Sequence, residues 1–179
     1  MFDSKESKTF GYHLFFLPEG ELFDNLQRTI NELADKYNGP KFEPHVTLLS
    51  GIPNAPEAEL VEKTRNLAVS MKPFNIELTK TETQDTFFRA LYLKAIDTLT
   101  YQRYHHQALG VFEMKKQMTI PMPHLSLYYG NVPQSIKDEM IASLKLPVSM
   151  KFPVYKVYLY QTEGEVKNWV RIGEYIMGK

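Results

Sequence analysis

A five-residue pattern occurs twice in this chain, as Pro44-His45-Val46-Thr47-Leu48 and as Pro123-His124-Leu125-Ser126-Leu127. The two histidines lie 79 residues apart (124 − 45), and the helical stretches that follow them, opening near Pro56 and Pro133, lie 77 apart (133 − 56). A chain that repeats one order of elements at one spacing is restricted to folds built from two like halves. On a strand successive side chains alternate faces, so His45 shares a face with Thr47 and His124 with Ser126. Each proline lacks an amide donor and biases the residue before it towards extended backbone, which suits the entry to a strand.

The elements around the motifs repeat as well. Gly11 to Leu17 reads as a strand. From Glu19 to Tyr37 apolar residues fall at three- and four-residue steps up to the stop Asn38-Gly39-Pro40, which predicts a helix. The His45 strand follows, then a helix over Pro56 to Met71 and strands over Phe74 to Lys80 and Phe87 to Ala95. The second half gives a helix over Thr98 to Lys115, the His124 strand, a helix over Gln134 to Leu144, and strands over Lys151 to Thr162 and Asn168 to Tyr175. The expectation is one α+β domain over residues 1–179, with repeat units of roughly 19–95 and 98–176. Two pseudo-symmetric lobes, each a mostly antiparallel sheet with outer helices, would bring the histidine strands to a central cleft.

Charge narrows the ligand. Lys plus Arg and Asp plus Glu each number 21, so no broad positive field exists to hold a long polyanion, and a small phosphorylated ligand fits better than extended nucleic acid. The chain has no cysteine, which excludes disulfides, thiol nucleophiles and Cys-ligated zinc. Met1 to Thr9 is polar and of mixed charge, and no apolar run approaches the ~18 residues of a membrane span. A cytoplasmic monomer with no membrane association is the expectation.

Two imidazoles divide the work of phosphodiester hydrolysis, one taking a proton from water and the other protonating the departing oxygen, because an ordinary pKa near ~6.5 lets either form exist near neutrality. The Thr47 and Ser126 hydroxyls would donate to nonbridging phosphate oxygens. The scheme needs no metal or other cofactor. A cyclic phosphodiester suits so spare a site, since ring strain supplies part of the driving force. No G-x-x-x-x-G-K-[ST] loop is present, which argues against nucleoside triphosphate chemistry. His124 is assigned as base and His45 as acid, and the pseudo-symmetry leaves the reverse open.

The motifs, with the runs Gly39-Pro40-Lys41-Phe42-Glu43-Pro44-His45-Val46-Thr47 and Met122-Pro123-His124-Leu125-Ser126-Leu127, resemble the two-histidine phosphoesterases, and within them the plant and yeast cyclic phosphodiesterase branch. The resemblance runs from Tyr12 to about Ile172. It implies two α+β lobes around a cleft, no cofactor, and hydrolysis of ADP-ribose 1″,2″-cyclic phosphate to ADP-ribose 1″-phosphate and of nucleoside 2′,3′-cyclic phosphates to 2′-phosphates. It also implies a core site of His45, Thr47, His124 and Ser126, with Tyr129 as a phosphate or water contact. Phe15 falls where plant relatives carry tryptophan, and Thr86-Phe87-Phe88 resembles a stretch of theirs. Those relatives contain cysteines, some in disulfides, so redox control does not carry over. The second motif continues Tyr128-Tyr129-Gly130 instead of leucine then tyrosine, and alternation from Ser126 puts Tyr128 on the site face unless the strand bulges.

Other residues carry competing readings. Phe87 and Phe88 point to opposite faces of a strand, so at most one of them reaches ligand and the other is core, and Phe88 is assigned the ligand side. Arg89 either grips a pyrophosphate bidentately or pairs with a surface carboxylate. His13 shares the face of Phe15, in a structural or a cleft role. His105 and His106 read as face residues of an amphipathic helix, and Trp169 as packing. Two other functions compete with the cyclic phosphodiesterase: processing of RNA or oligonucleotide ends, and phosphate binding without turnover.

Overall fold

The computed structural model describes residues 7–115 and 122–178; residues 1–6, on which most of the polar N-terminal reading rests, lie outside them. The described elements are β1 (Tyr12–Phe16), α1 (Gly20–Tyr37), β2 (Val46–Ile52), α2 (Glu57–Ser70), β3 (Phe74–Glu82), β4 (Leu91–Ala95), α3 (Leu99–Val111), β5 (His124–Tyr128), α4 (Gln134–Ser143), β6 (Lys151–Val154), β7 (Lys156–Gln161) and β8 (Val170–Ile176). Every strand pairing is antiparallel, in the order β6-β3-β4-β5-β2-β1-β7-β8. No helix among the described residues is long and apolar enough to cross a membrane.

The histidine strands β2 and β5 are neighbours at the centre of this order. They pair only at Val46↔Leu125, so two four-stranded halves meet at a narrow seam. Beyond the seam a helix meets each strand, α1 against β5 and α3 against β2. On α3 the Tyr101 hydroxyl donates to the Thr47 carbonyl (2.7 Å) and the His105 Nδ1 to the Leu48 carbonyl (2.7 Å), satisfying two acceptors just past the point where strand pairing ends. α1 stops at Asn38, which adopts the left-handed conformation with φ 56° and donates back to the Ala34 carbonyl.

Alternation along β1 separates two apolar groups. Leu14 and Phe16 join Val46, Leu91, Leu93, Leu125 and Leu127 in the main core, where each fully buried side chain contributes about 1.5–3 kcal/mol. Phe15 and Leu17 join Tyr158 and Tyr160 in a second cluster against Phe23 and Trp169. That second face carries the cleft.

Three sequence expectations change. The strand read over Lys151 to Thr162 breaks at Tyr155, and its pieces go to opposite halves: β6 to the edge beside β3, β7 beside β1. The sequence carries a trace of the break, because the buried positions Phe152 and Val154 fall out of phase with Val157 and Leu159, so one uninterrupted strand would place the two pairs on opposite faces. Phe87 to Arg89 form a 3-10 turn ahead of β4 instead of its first residues, and residues 166–168 form another before β8. The third helix ends at Val111.

Candidate active site

His45 precedes β2 and His124 opens β5, and each ring is held in the same way. The Nδ1 of His45 lies 2.6 Å from the Glu43 carbonyl and that of His124 lies 2.9 Å from the Met122 carbonyl, two residues back across the proline in both cases. A carbonyl only accepts, so Nδ1 carries the proton and the Nε2 of each neutral ring presents a lone pair. A cleft of about 530 Å³ is lined by both histidines together with Thr47, Phe15, Phe88, Arg89, Tyr129 and Trp169.

Burial is the main cause of low basicity in these rings. It brings His45 down to about 4 against the opposing Glu43 hydrogen bond, and the charges of His124 and His13 lower it further. His124 is also lowered, by burial first and by the Arg89 cation as well, while its Met122 hydrogen bond works the other way. His13, bonded to the Thr162 hydroxyl, falls to about 4 through burial. Such rings fold neutral, so the unfolded chain binds more protons between pH 6.5 and 4 and stability rises with pH across that window. His13 and His45 each account for about 3 kcal/mol once the full window is crossed. Denaturant midpoints should fall as the pH is lowered from 6.5 towards 4.5, a range above the ordinary carboxylate pKa values; a constant midpoint would contradict neutral burial.

Aromatic rings enclose His45. Phe15 stacks on it at 3.9 Å between centroids, and Trp169 lies 6.1 Å away. Trp169 also stacks with Phe88 at 6.2 Å, so the residue expected to serve packing alone is a wall of the cleft. Its sequence position carried no such signal, because a tryptophan on an apparent edge strand is ordinary. Arg89 lines the cleft and has no carboxylate within ion-pair distance among the described residues, which removes the surface-pair reading.

Tyr129, not Tyr128, faces the cleft. The pairing of β4 with β5 slips between Leu91↔Tyr128 and Tyr92↔Ser126, so Leu127 is an extra residue and the strand bulges. Tyr128 turns to the core side, where its hydroxyl donates to the Tyr37 carbonyl and its ring lies against Gly39 and Gly130; a Cβ at either glycine would come within 2.4 or 2.7 Å of that ring. Tyr129 stacks on Phe42 at 3.9 Å, and its hydroxyl, its pKa raised by burial, lies 3.4 Å from the His45 Nε2.

The two hydroxyls of the motifs differ in state. Thr47 lines the cleft, and its side chain makes no hydrogen bond among the described residues. Ser126 is 3% exposed, donates to the Phe88 carbonyl at 2.9 Å and lies beside the Tyr129 hydroxyl. Behind His45, the Glu43 carboxylate accepts from Tyr160 and Arg171, which anchors the backbone whose carbonyl holds the ring. Lys137, buried on α4, donates to the Gln84 carbonyl at 2.8 Å and pairs with Asp85, tying down the loop that leads to Phe88 and Arg89. Neither support had a sequence signal, since each joins residues far apart in the chain.

An antiparallel α+β fold with two carbonyl-oriented imidazoles at one cleft has the design of a two-histidine phosphoesterase. The model of the 2'-5' RNA ligase superfamily matches residues 22–165, and the chain belongs to that superfamily of two-histidine phosphoesterases, as a hydrolase of phosphodiester bonds. It is 26% identical over 135 residues to a cyclic phosphodiesterase of Arabidopsis thaliana, a match covering 74% of this chain and 72% of the relative. Among solved structures it is similar to TT0787 of Thermus thermophilus, with TM-score 0.65 and 16% identity over 94% of this chain and 99% of that one. It is also similar to Escherichia coli LigT complexed with 3'-AMP, with TM-score 0.61 and 10% identity over 96% and 100% of the two chains. At these identities the two structures speak for the fold.

Proposed function

We propose that this protein, as a monomeric single domain, hydrolyses small cyclic phosphodiesters. The proposed substrates are ADP-ribose 1″,2″-cyclic phosphate, opened to ADP-ribose 1″-phosphate, and nucleoside 2′,3′-cyclic phosphates, opened to 2′-phosphates. The observation that carries this reading is the matched pose of His45 and His124, each with Nδ1 spent on a carbonyl and Nε2 on the far side of the ring, that of His45 beside the Tyr129 hydroxyl at 3.4 Å. A module that only binds phosphate has no need of two such rings. Arg89 is the single lysine or arginine among the described residues lining the cleft, which suits one small phosphate better than a nucleic-acid backbone.

In the proposed reaction a water oxygen attacks phosphorus while its proton passes to the Nε2 of His124. The ring P–O bond breaks, and the departing oxygen takes a proton from the Nε2 of His45. The Arg89 cation favours neutral His124, as a base requires. The aromatic wall of Phe15 and Trp169 around His45 would hold the sugar that bears the departing oxygen on the acid side. A bound phosphodiester anion raises the affinity of His45 for a proton above its value in the empty cleft.

The pH dependence tests this division of labour. kcat/KM reports the free enzyme, in which one ring must be neutral and the other charged, and both are held below their ordinary pKa. For adenosine 2′,3′-cyclic phosphate in EDTA, kcat/KM should peak on the acid side of pH ~6.5 and fall as the pH rises, with the kcat optimum displaced upward by the bound anion. A kcat/KM that climbs between pH 7 and 9 would rule out the paired imidazoles as acid and base.

A further inference from the structure

The turn that carries Phe88 and Arg89 is fastened through three successive carbonyls. That of Phe87 accepts from the amide of Gly130, just past β5 (2.9 Å), that of Phe88 from the Ser126 hydroxyl, and that of Arg89 from the Gln84 amide (3.0 Å). The last of these bonds makes the position of Arg89 depend on what holds Gln84. Lys137 holds it, with an Nζ that donates to the Gln84 carbonyl and pairs with Asp85. Packing does not account for a lysine at this place. It is the fourth residue of α4, at the end where unbonded amides already carry partial positive charge, and its side chain is 2% exposed against 93% for that of Asp85. A charge costs far more to bury than an apolar side chain of the same length. What the ammonium alone can do is meet two acceptors of one turn at once.

We infer that Lys137 is a positioning residue of the reaction: it holds Gln84 and Asp85 from the α4 side and so sets where Arg89 meets the substrate phosphate. The inference rests on the reading of Arg89 as the cation that receives the phosphate. Lys137 is not among the described residues that line the cleft, so it acts without touching substrate. The same fastening reaches the ring assigned as base. The Gln84 side-chain amide donates to the Tyr92 hydroxyl (3.3 Å), and Tyr92 lies edge-on to His124 at 5.3 Å between centroids. Phe88, one residue before Arg89, stacks with Trp169, so a shift of the turn would also move the aromatic wall.

The calorimetric affinity of the whole protein for inorganic phosphate tests this. Lys137→Met keeps the length of the side chain and removes its donors. It should weaken phosphate binding about tenfold while Arg89 is present, the low end of what a hydrogen bond to a charged group contributes. In an Arg89→Ala background it should have no effect, because losses that pass through one residue do not add. With adenosine 2′,3′-cyclic phosphate the same loss should fall on KM and leave kcat within about twofold, since Arg89 meets a charge that the substrate already carries. Asp85→Ala, at an exposed position, loosens the same hold without altering the buried lysine. It should weaken phosphate about threefold, again only with Arg89 present, and it decides the matter should Lys137→Met not fold. Equal weakening in both backgrounds, or none in either, would overturn the inference. If the protein turned over no cyclic phosphate, the catalytic reading would fail by itself, and the phosphate affinities would still decide the role of Lys137.

Discussion

Replacing either His45 or His124 by alanine should remove 10²–10⁴-fold of kcat, the range that a positioned general acid or base contributes. The double variant should lose little more than either single one, because the two rings act in one proton relay and their effects are not additive. His45 is buried and stacked on Phe15, so alanine there also opens a space in the aromatic wall. Asparagine separates the two effects: it retains a donor for the Glu43 carbonyl, which holds the entry to β2, and lacks the Nε2 that moves a proton. His45→Asn and His124→Asn should therefore fold with near-wild-type stability and still lose turnover. Wild-type rates in any of the four variants, measured on a cyclic phosphate in EDTA, would sink the mechanism.

The second large effect is expected at Thr47. If its hydroxyl supplies one donor to the phosphate oxygens where charge develops, Thr47→Val should cost 10²–10³-fold in kcat while keeping the β-branched shape of the strand residue. Ser126 holds the equivalent place in the second motif, but its single proton already lies on the Phe88 carbonyl. Donating to a phosphate means giving up that bond, a net difference of about 1 kcal/mol, so Ser126→Ala should cost roughly fivefold less than Thr47→Val. Thr47→Ser should restore most of the rate. Equal losses at Thr47 and Ser126 would mean that substrate releases Ser126 from Phe88 without cost, and an active Thr47→Val would remove this hydroxyl from the reaction.

Much of the site could be read locally. The face shared by His45 and Thr47 follows from alternation, and the Asn38-Gly39-Pro40 stop ends α1 where the left-handed Asn38 is found. The choice between Tyr128 and Tyr129 could not be made that way. It turns on one extra residue at Leu127, and a bulge is a property of two strands in register, not of one. His105 looked like a face residue of a helix, as its spacing required. Its place at the cleft exists only because α3 lies against β2, where the Leu48 carbonyl that holds it is 57 residues away in sequence.

The amino-acid sequence by itself showed a motif repeated within one order of elements and determined which imidazole and hydroxyl of each motif share a face, because alternation along a strand acts within a few residues; the halves of the sheet are not the two repeat units of the sequence, since β3 and β4 lie beside β5. Only the tertiary structure decided that β2 and β5 touch at a single pair, that the run from Lys151 divides between the halves, and that Trp169 and His105 reach the cleft with Tyr129 while the Ser126 hydroxyl donates to the Phe88 carbonyl. Those outcomes depend on which strands find each other across long stretches of chain. The energy that selects among pairings comes from burying the whole core at once, and no single segment carries it.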